Sequence, residues 1–127
     1  MKYFDELVRS MTYLGKQTNT VFLSQACRVG GTSTFSTLSG VPMDKRIEMP
    51  VCEELQQGIT NGLALAGSIP VSIYPRFNFL LLAVNQLSNH LDKLNIMTNN
   101  EWPTKAIIRT SIGSERPLVP QWQHMGD

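Results

Sequence analysis

Apolar residues recur every three or four positions at Phe4, Leu7, Val8, Met11 and Leu14, which predicts a helix with one apolar face, ending near Gly15. Thr20-Val21-Phe22-Leu23 is short, β-branched and continuously apolar, the pattern of a strand covered on both faces. From Cys27 to Gly40 the chain holds Gly30, Gly31 and Gly40 among many Ser and Thr, so a loop with at most a short helix is expected. Helical spacing returns at Leu55, Ile59, Leu63 and Ala66 within Glu53 to Ala66, with Gly58 and Gly62 on another face. Each glycine costs a helix roughly 1 kcal/mol against alanine, so close approach of another backbone is the expected compensation. Val71-Ser72-Ile73-Tyr74 reads as a second strand, Phe79 to Leu94 as a helix through Leu82, Ala83, Leu87 and Leu91, and Lys105 to Thr110 as a third strand. Helices alternating with short apolar strands predict an α/β domain with a mainly parallel sheet flanked by helices, whose ligand lies beyond the carboxyl ends of the strands.

Composition narrows the function classes. Of 127 residues, 42% are apolar and 17% charged, as expected of one globular domain spanning 1–127. Eleven Lys and Arg against ten Asp and Glu leave a formal charge of +1, which offers no electrostatic footprint for nucleic acid or an anionic membrane. The longest strongly apolar run, Phe79 to Val84, falls far short of the roughly 20 residues of a membrane span, and Met1 to Glu6 shows no secretory signal pattern. A cytoplasmic location is expected. Cys27 and Cys52 have neither CxxC spacing nor a disulfide framework, so both are read as reduced thiols. From Gly113 to Asp127 no closing helix or strand is visible, which suggests a domain that is incomplete at its carboxyl end or finished by another chain.

The densest chemistry lies in Met49-Pro50-Val51-Cys52-Glu53-Glu54, where a proline precedes two carboxylates in the first turn of a helix. Acidic residues favour this position simply because they complement the exposed amides and the positive dipole end. A functional role requires one of them to be buried beside a ligand, and since successive helical residues point about 100 degrees apart, only one can face a given cleft. A second cluster, Tyr74-Pro75-Arg76-Phe77-Asn78-Phe79, follows the second strand; its aromatic rings suit core packing or stacking on a ligand. His90 has no Cys, Asp or second His at ligand spacing beside it, and His124 sits in an irregular segment where a solvated ring is the ordinary outcome. No GxSxG elbow, GxGxxG turn or P-loop is present.

Taken in order, these residues resemble the pyrimidine-binding domain of transketolase-like thiamine-diphosphate enzymes, above all the beta subunits of 2-oxo acid dehydrogenases. Arg46-Ile47-Glu48-Met49-Pro50-Val51-Cys52-Glu53 is similar to the family's Arg-(Ile/Val)-x-x-Pro-x-(Ser/Ala)-Glu, and Gly58 and Gly62 keep the family's spacing from that glutamate. Pro70-Val71, Phe77-Asn78-Phe79, Ala83-Val84-Asn85-Gln86, Ile107-Ile108-Arg109 and Gln123-His124 continue the register. The resemblance implies that Glu53 hydrogen-bonds the aminopyrimidine ring nitrogen of thiamine diphosphate. That contact favours the imino tautomer, which deprotonates the thiazolium carbon. It further implies that Phe77 stacks on the pyrimidine and that His124 acts on charge or protons near the substrate. Gln25 stands at a cofactor-side position where the family has an acid. The family's Gly-Asp-Gly metal-diphosphate motif is missing, so magnesium ligands are expected from a separate diphosphate-binding subunit in a hetero-oligomer or homodimer. The expected activity is decarboxylation of a 2-oxo acid or ketol or acyl transfer, absent from the isolated chain. The alternative is a non-catalytic remnant or interaction module of the same fold.

Overall fold

The computed structural model describes residues 2–112. Helix α1 (Tyr3–Gly15) leads into strand β1 (Thr20–Ser24), and the following loop carries one short helix, α2 (Ser33–Thr37). A single 3-10 turn at Met43–Lys45 then delivers the chain into β2 (Arg46–Glu48). Helix α3 (Glu53–Leu65) and strand β3 (Ile69–Ile73) follow. A composite helical stretch comprises α4 (Phe77–Leu80), a 3-10 turn (Leu81–Ala83), a π-helical segment (Gln86–Leu91) and α5 (Asp92–Met97), and β4 (Ile107–Arg109) is the last described element.

The four strands form one parallel sheet in the order β2-β1-β3-β4. This is the expected α/β architecture, with one strand more than the hydrophobic pattern announces. Arg46-Ile47-Glu48 has no apolar run to advertise it; it becomes a strand through its ladder to Phe22, Leu23 and Ser24 of β1. Pro70 is compatible with central strand β3 because the pairing with β4 begins only at Val71. The missing N–H therefore falls where no neighbouring strand needs a donor.

Strand alternation separates two chemically different layers. Phe22, Val71 and Ile73 pack with Met11, Cys27, Leu38 and Val41 in the apolar core, which Leu7, Leu14 and Ile107 extend. Helix α1 therefore covers this face, and Gly40 lets the loop approach it: a Cβ there would sit 2.0 Å from the Thr12 hydroxyl. On the opposite face, α3 buries Glu53, Gln56, Gln57, Thr60, Asn61 and Ala64, all but the last polar. Leu55, Ile59 and Leu65 of the same helix remain exposed, as does Val51 ahead of it. The helix is thus inverted relative to an ordinary surface helix, whose apolar stripe faces inward.

Burial of this polar stripe is sustained by hydrogen bonds, as an interior amide requires. The Gln56 amide donates to Ser72 Oγ at 2.9 Å and to the Ile73 carbonyl at 3.1 Å, tying α3 to β3. Thr60 Oγ1 donates to the Gln56 carbonyl, and the Asn61 amide donates to the Gln86 carbonyl in the π-helical segment at 2.9 Å. Among the described residues no other backbone approaches Gly58 or Gly62: an added Cβ at either would have nothing within 4 Å.

Arg46 organises the loop on the other side. Its side chain, 4% exposed, donates to the carbonyls of Cys27 at 3.0 Å, Leu38 at 2.6 Å and Val41 at 2.7 Å, and its guanidinium lies 5.2 Å from the centre of the Phe35 ring. One cation thus gathers three irregular backbone segments against the start of β2, a use to which the planar five-donor fork is suited.

Candidate functional site

Parallel strands place their carboxyl ends at one edge, and that edge collects the candidate residues. Gln25 follows β1 directly, and Glu53 is the first residue of α3, which packs over β1 and β3. Tyr74 follows β3, with Phe77 opening α4 three residues later. The sequence-based expectation that only one carboxylate of the Glu53-Glu54 pair faces inward matches the geometry: Glu53 is 5% exposed, while Glu54 lies on the surface.

Glu53 and Gln25 meet. The Gln25 Nε2 amide donates to Glu53 Oε1 at 3.2 Å, and among the described residues this is the hydrogen bond made by the Glu53 side chain. The carboxyl also stands at the amino end of α3, where the helix dipole favours negative charge. Gln25 is aimed by its surroundings. Ser24 Oγ donates to the carbonyls of Gln25 at 3.0 Å and of Ile73 at 2.9 Å, pinning the end of β1 to β3. Beyond it, Ala26 adopts φ +54°, a left-handed conformation unusual for a residue with a Cβ. Glu48 at the end of β2 holds this turn by accepting from the Ala26 and Arg28 backbone N–H groups, the latter at 2.8 Å.

Tyr74 closes the inner side. Its hydroxyl donates to Gln57 Oε1 at 2.7 Å, and Gln57 Nε2 donates to Asn61 Oδ1 at 3.0 Å, continuing the bonded polar layer along α3. Burial pushes the Tyr74 phenol up to about 12, with the nearby Glu53 carboxylate acting in the same direction and a Ser72 hydrogen bond opposing it. Tyr74 is therefore neutral near pH 7 and serves as a hydrogen-bond donor. The segment carrying Phe77 is fixed from outside the loop: Tyr74 N–H donates to the Arg109 carbonyl and Phe77 N–H to the Ser111 carbonyl, both at 2.8 Å. Phe77 itself is half-buried. His124 lies outside the described residues, and His90 is exposed within the π-helical segment.

Both cysteines are free thiols, as read from the sequence. Cys27 is buried in the core, and burial together with the Glu48 carboxylate raises its thiol to about 11; Cys52 is exposed at the N-cap of α3. Among the described residues no three His, Cys, Asp or Glu side chains are grouped to hold a metal ion. No described helix is long and apolar enough to cross a membrane.

Sequence reasoning singled out Glu53, Gln25 and Phe77 but assigned no role to Glu48, Gln57, Asn61 or Tyr74. Tyr74 carried a usable signal, an aromatic residue at the end of a strand. Gln57 and Asn61 carried only an indirect one, since they occupy the helical face opposite the apolar residues that periodicity marks.

No family model matches the chain. The chain is similar to the beta subunits of 2-oxo acid dehydrogenases. It is 33% identical over 72 residues to the pyruvate dehydrogenase E1 component subunits beta-3 and beta-2, chloroplastic, of Arabidopsis thaliana, a match covering 57% of this chain and 18% of each relative. It is 24% identical over 119 residues to the 2-oxoisovalerate dehydrogenase subunit beta of Bacillus subtilis, covering 89% of this chain and 36% of the relative. The matches thus span between about a fifth and about a third of these relatives' length.

Proposed function

We propose that this chain supplies the pyrimidine-binding half of a thiamine-diphosphate site in an enzyme acting on a 2-oxo acid or ketose, the other half coming from a diphosphate-binding subunit. The observation that carries this reading is the Glu53 carboxyl, 5% exposed at the carboxyl edge of a parallel sheet and bonded by Gln25. A buried acid with one oxygen engaged by an amide suits a ring nitrogen of an aminopyrimidine, which needs a hydrogen bond and a proton from one fixed direction. When bound, thiamine diphosphate supplies the carbanion chemistry at its thiazolium carbon, and the protein's share is orientation, a proton and exclusion of water. Glu53 would hold the ring nitrogen, Phe77 would present the stacking surface, and His124 would act near the substrate. Magnesium and the diphosphate belong, in this reading, to the partner subunit.

The inverted face of α3 supports the need for a partner. Leu55 is 47% exposed and Ile59 37%, beside two glycines with open space above them, so another polypeptide can approach this helix closely. The same face favours a second reading, an interaction module that assembles without catalysis.

The two readings separate on mixing the chain with a diphosphate-binding subunit, thiamine diphosphate and magnesium. The half-site reading expects 2-oxo acid decarboxylation or ketol transfer that Glu53→Ala abolishes. Unchanged turnover in that variant would remove Glu53 from the mechanism, and assembly with no heat of thiamine-diphosphate binding would favour the interaction module.

A further inference from the structure

We infer that Gln25 is a positioning residue that acts through Glu53, reserving one carboxyl oxygen as an acceptor so that the proton is carried on the other oxygen. The inference deepens the reading of Glu53 as the acid of the site and rests on it for its catalytic meaning. Its structural content stands on the hydrogen bond alone.

An amide N–H donates and never accepts, so Glu53 Oε1, 3.2 Å from Gln25 Nε2, offers a lone pair along that line and no proton. Among the described residues Oε2 has no hydrogen-bond partner, and it is the oxygen on which a transferable proton can reside. Gln25 is itself held: its carbonyl accepts from Ser24 Oγ at 3.0 Å, and the turn after it is fastened by Glu48 through the Ala26 and Arg28 amides. The approach of the amide to Glu53 is therefore set by β1 and β2 and is independent of a ligand.

The charged and titratable groups around Glu53 leave room for this control. From the end of β3 comes Tyr74, neutral because burial raises its phenol and bonded to Gln57. On α3 itself Glu54 is exposed, and Glu48 of β2 is engaged by backbone amides. Among the described residues no second carboxylate bonds Glu53. An acid at position 25 would create one, and two carboxylates at this separation share protons in two coupled steps.

The test is a pH titration of the full chain carrying ¹³C-labelled glutamate side chains, with the Glu53 signal assigned by its loss in Glu53→Gln. The native chain is expected to show one Glu53 step. In the nearly isosteric Gln25→Glu variant, Glu53 is expected to titrate in two coupled steps, the upper displaced by about one pH unit or more. Gln25→Met, which withdraws the donor, is expected to move the single Glu53 step upward, while Glu54→Gln leaves it in place. Far-UV circular dichroism identifies which variants stay folded, and Gln25→Glu alone suffices if Gln25→Met does not. Coincident Glu53 curves in the native chain and a folded Gln25→Glu variant would overturn the inference. Coupled titration without any thiamine-diphosphate binding in the assembled protein would leave the positioning role standing and remove only the functional reading.

Discussion

Replacing Arg46 by methionine keeps most of the side chain's volume and removes its charge, isolating what the guanidinium contributes. Its donors serve the Cys27, Leu38 and Val41 carbonyls at 3.0, 2.6 and 2.7 Å, inside a chain region where Arg46 is 4% exposed. A buried acceptor left without a donor costs about 1–3 kcal/mol. The Leu38 carbonyl still accepts from the Val41 N–H at 2.8 Å, so two carbonyls, those of Cys27 and Val41, lose their donor, and about 2–5 kcal/mol is expected for Arg46→Met. Arg46→Lys keeps a cation but not the fork, so it should fall between the native chain and Arg46→Met. Urea denaturation followed by far-UV circular dichroism measures both, with an unchanged slope confirming that only stability moved. A loss below about 1 kcal/mol for Arg46→Met would refute the claim that this cation organises the loop. The effect should also reach the site, because β2 begins at Arg46 and ends at Glu48, which fastens the turn beside Gln25.

Other positions yield separate expectations. Gly58→Ala and Gly62→Ala each place a Cβ in open space on a helix, so each should stabilise the isolated chain by about 0.5–1 kcal/mol while weakening association with a partner subunit, read by melting temperature and by binding calorimetry. Gly40→Ala drives a Cβ onto the Thr12 side chain and should cost about 1–3 kcal/mol in denaturant titration, with Thr12→Ala restoring part of the loss. The Cys27 thiol is raised from 9.0 to about 11 in the folded chain, so the unfolded chain loses that proton first; stability should fall as pH rises across this window, less steeply in Cys27→Ala.

The hydrophobic pattern revealed the sheet and its first helix because their apolar residues have a single period and a single destination. It left the orientation of α3 open for a physical reason: the pattern identifies the apolar face but not which face packs against the sheet, and Glu53, Gln56, Gln57, Thr60 and Asn61 are the residues that turn inward. A polar stripe can do so only when each amide finds a partner, and Ser72, the Ile73 carbonyl, Tyr74 and the Gln86 carbonyl are brought within reach only by the tertiary fold. The expected continuous helix from Phe79 to Leu94 changes hydrogen-bond pattern along its length, which the uniformly apolar Phe79 to Val84 run cannot signal because it favours no face. β2 is three residues of backbone pairing and leaves no side-chain signature. At the candidate site, ordered motif spacing is what singles out Glu53 and Phe77. The Gln25–Glu53 contact joins residues 28 positions apart and becomes visible only in three dimensions.

The most direct test of the central claim follows the ¹⁵N resonance of thiamine diphosphate labelled at its pyrimidine ring nitrogen, bound to this chain assembled with a diphosphate-binding subunit and magnesium. The account expects a shift toward a hydrogen-bonded or protonated ring nitrogen that disappears in Glu53→Ala while the subunits stay assembled. The same resonance in both proteins would contradict it.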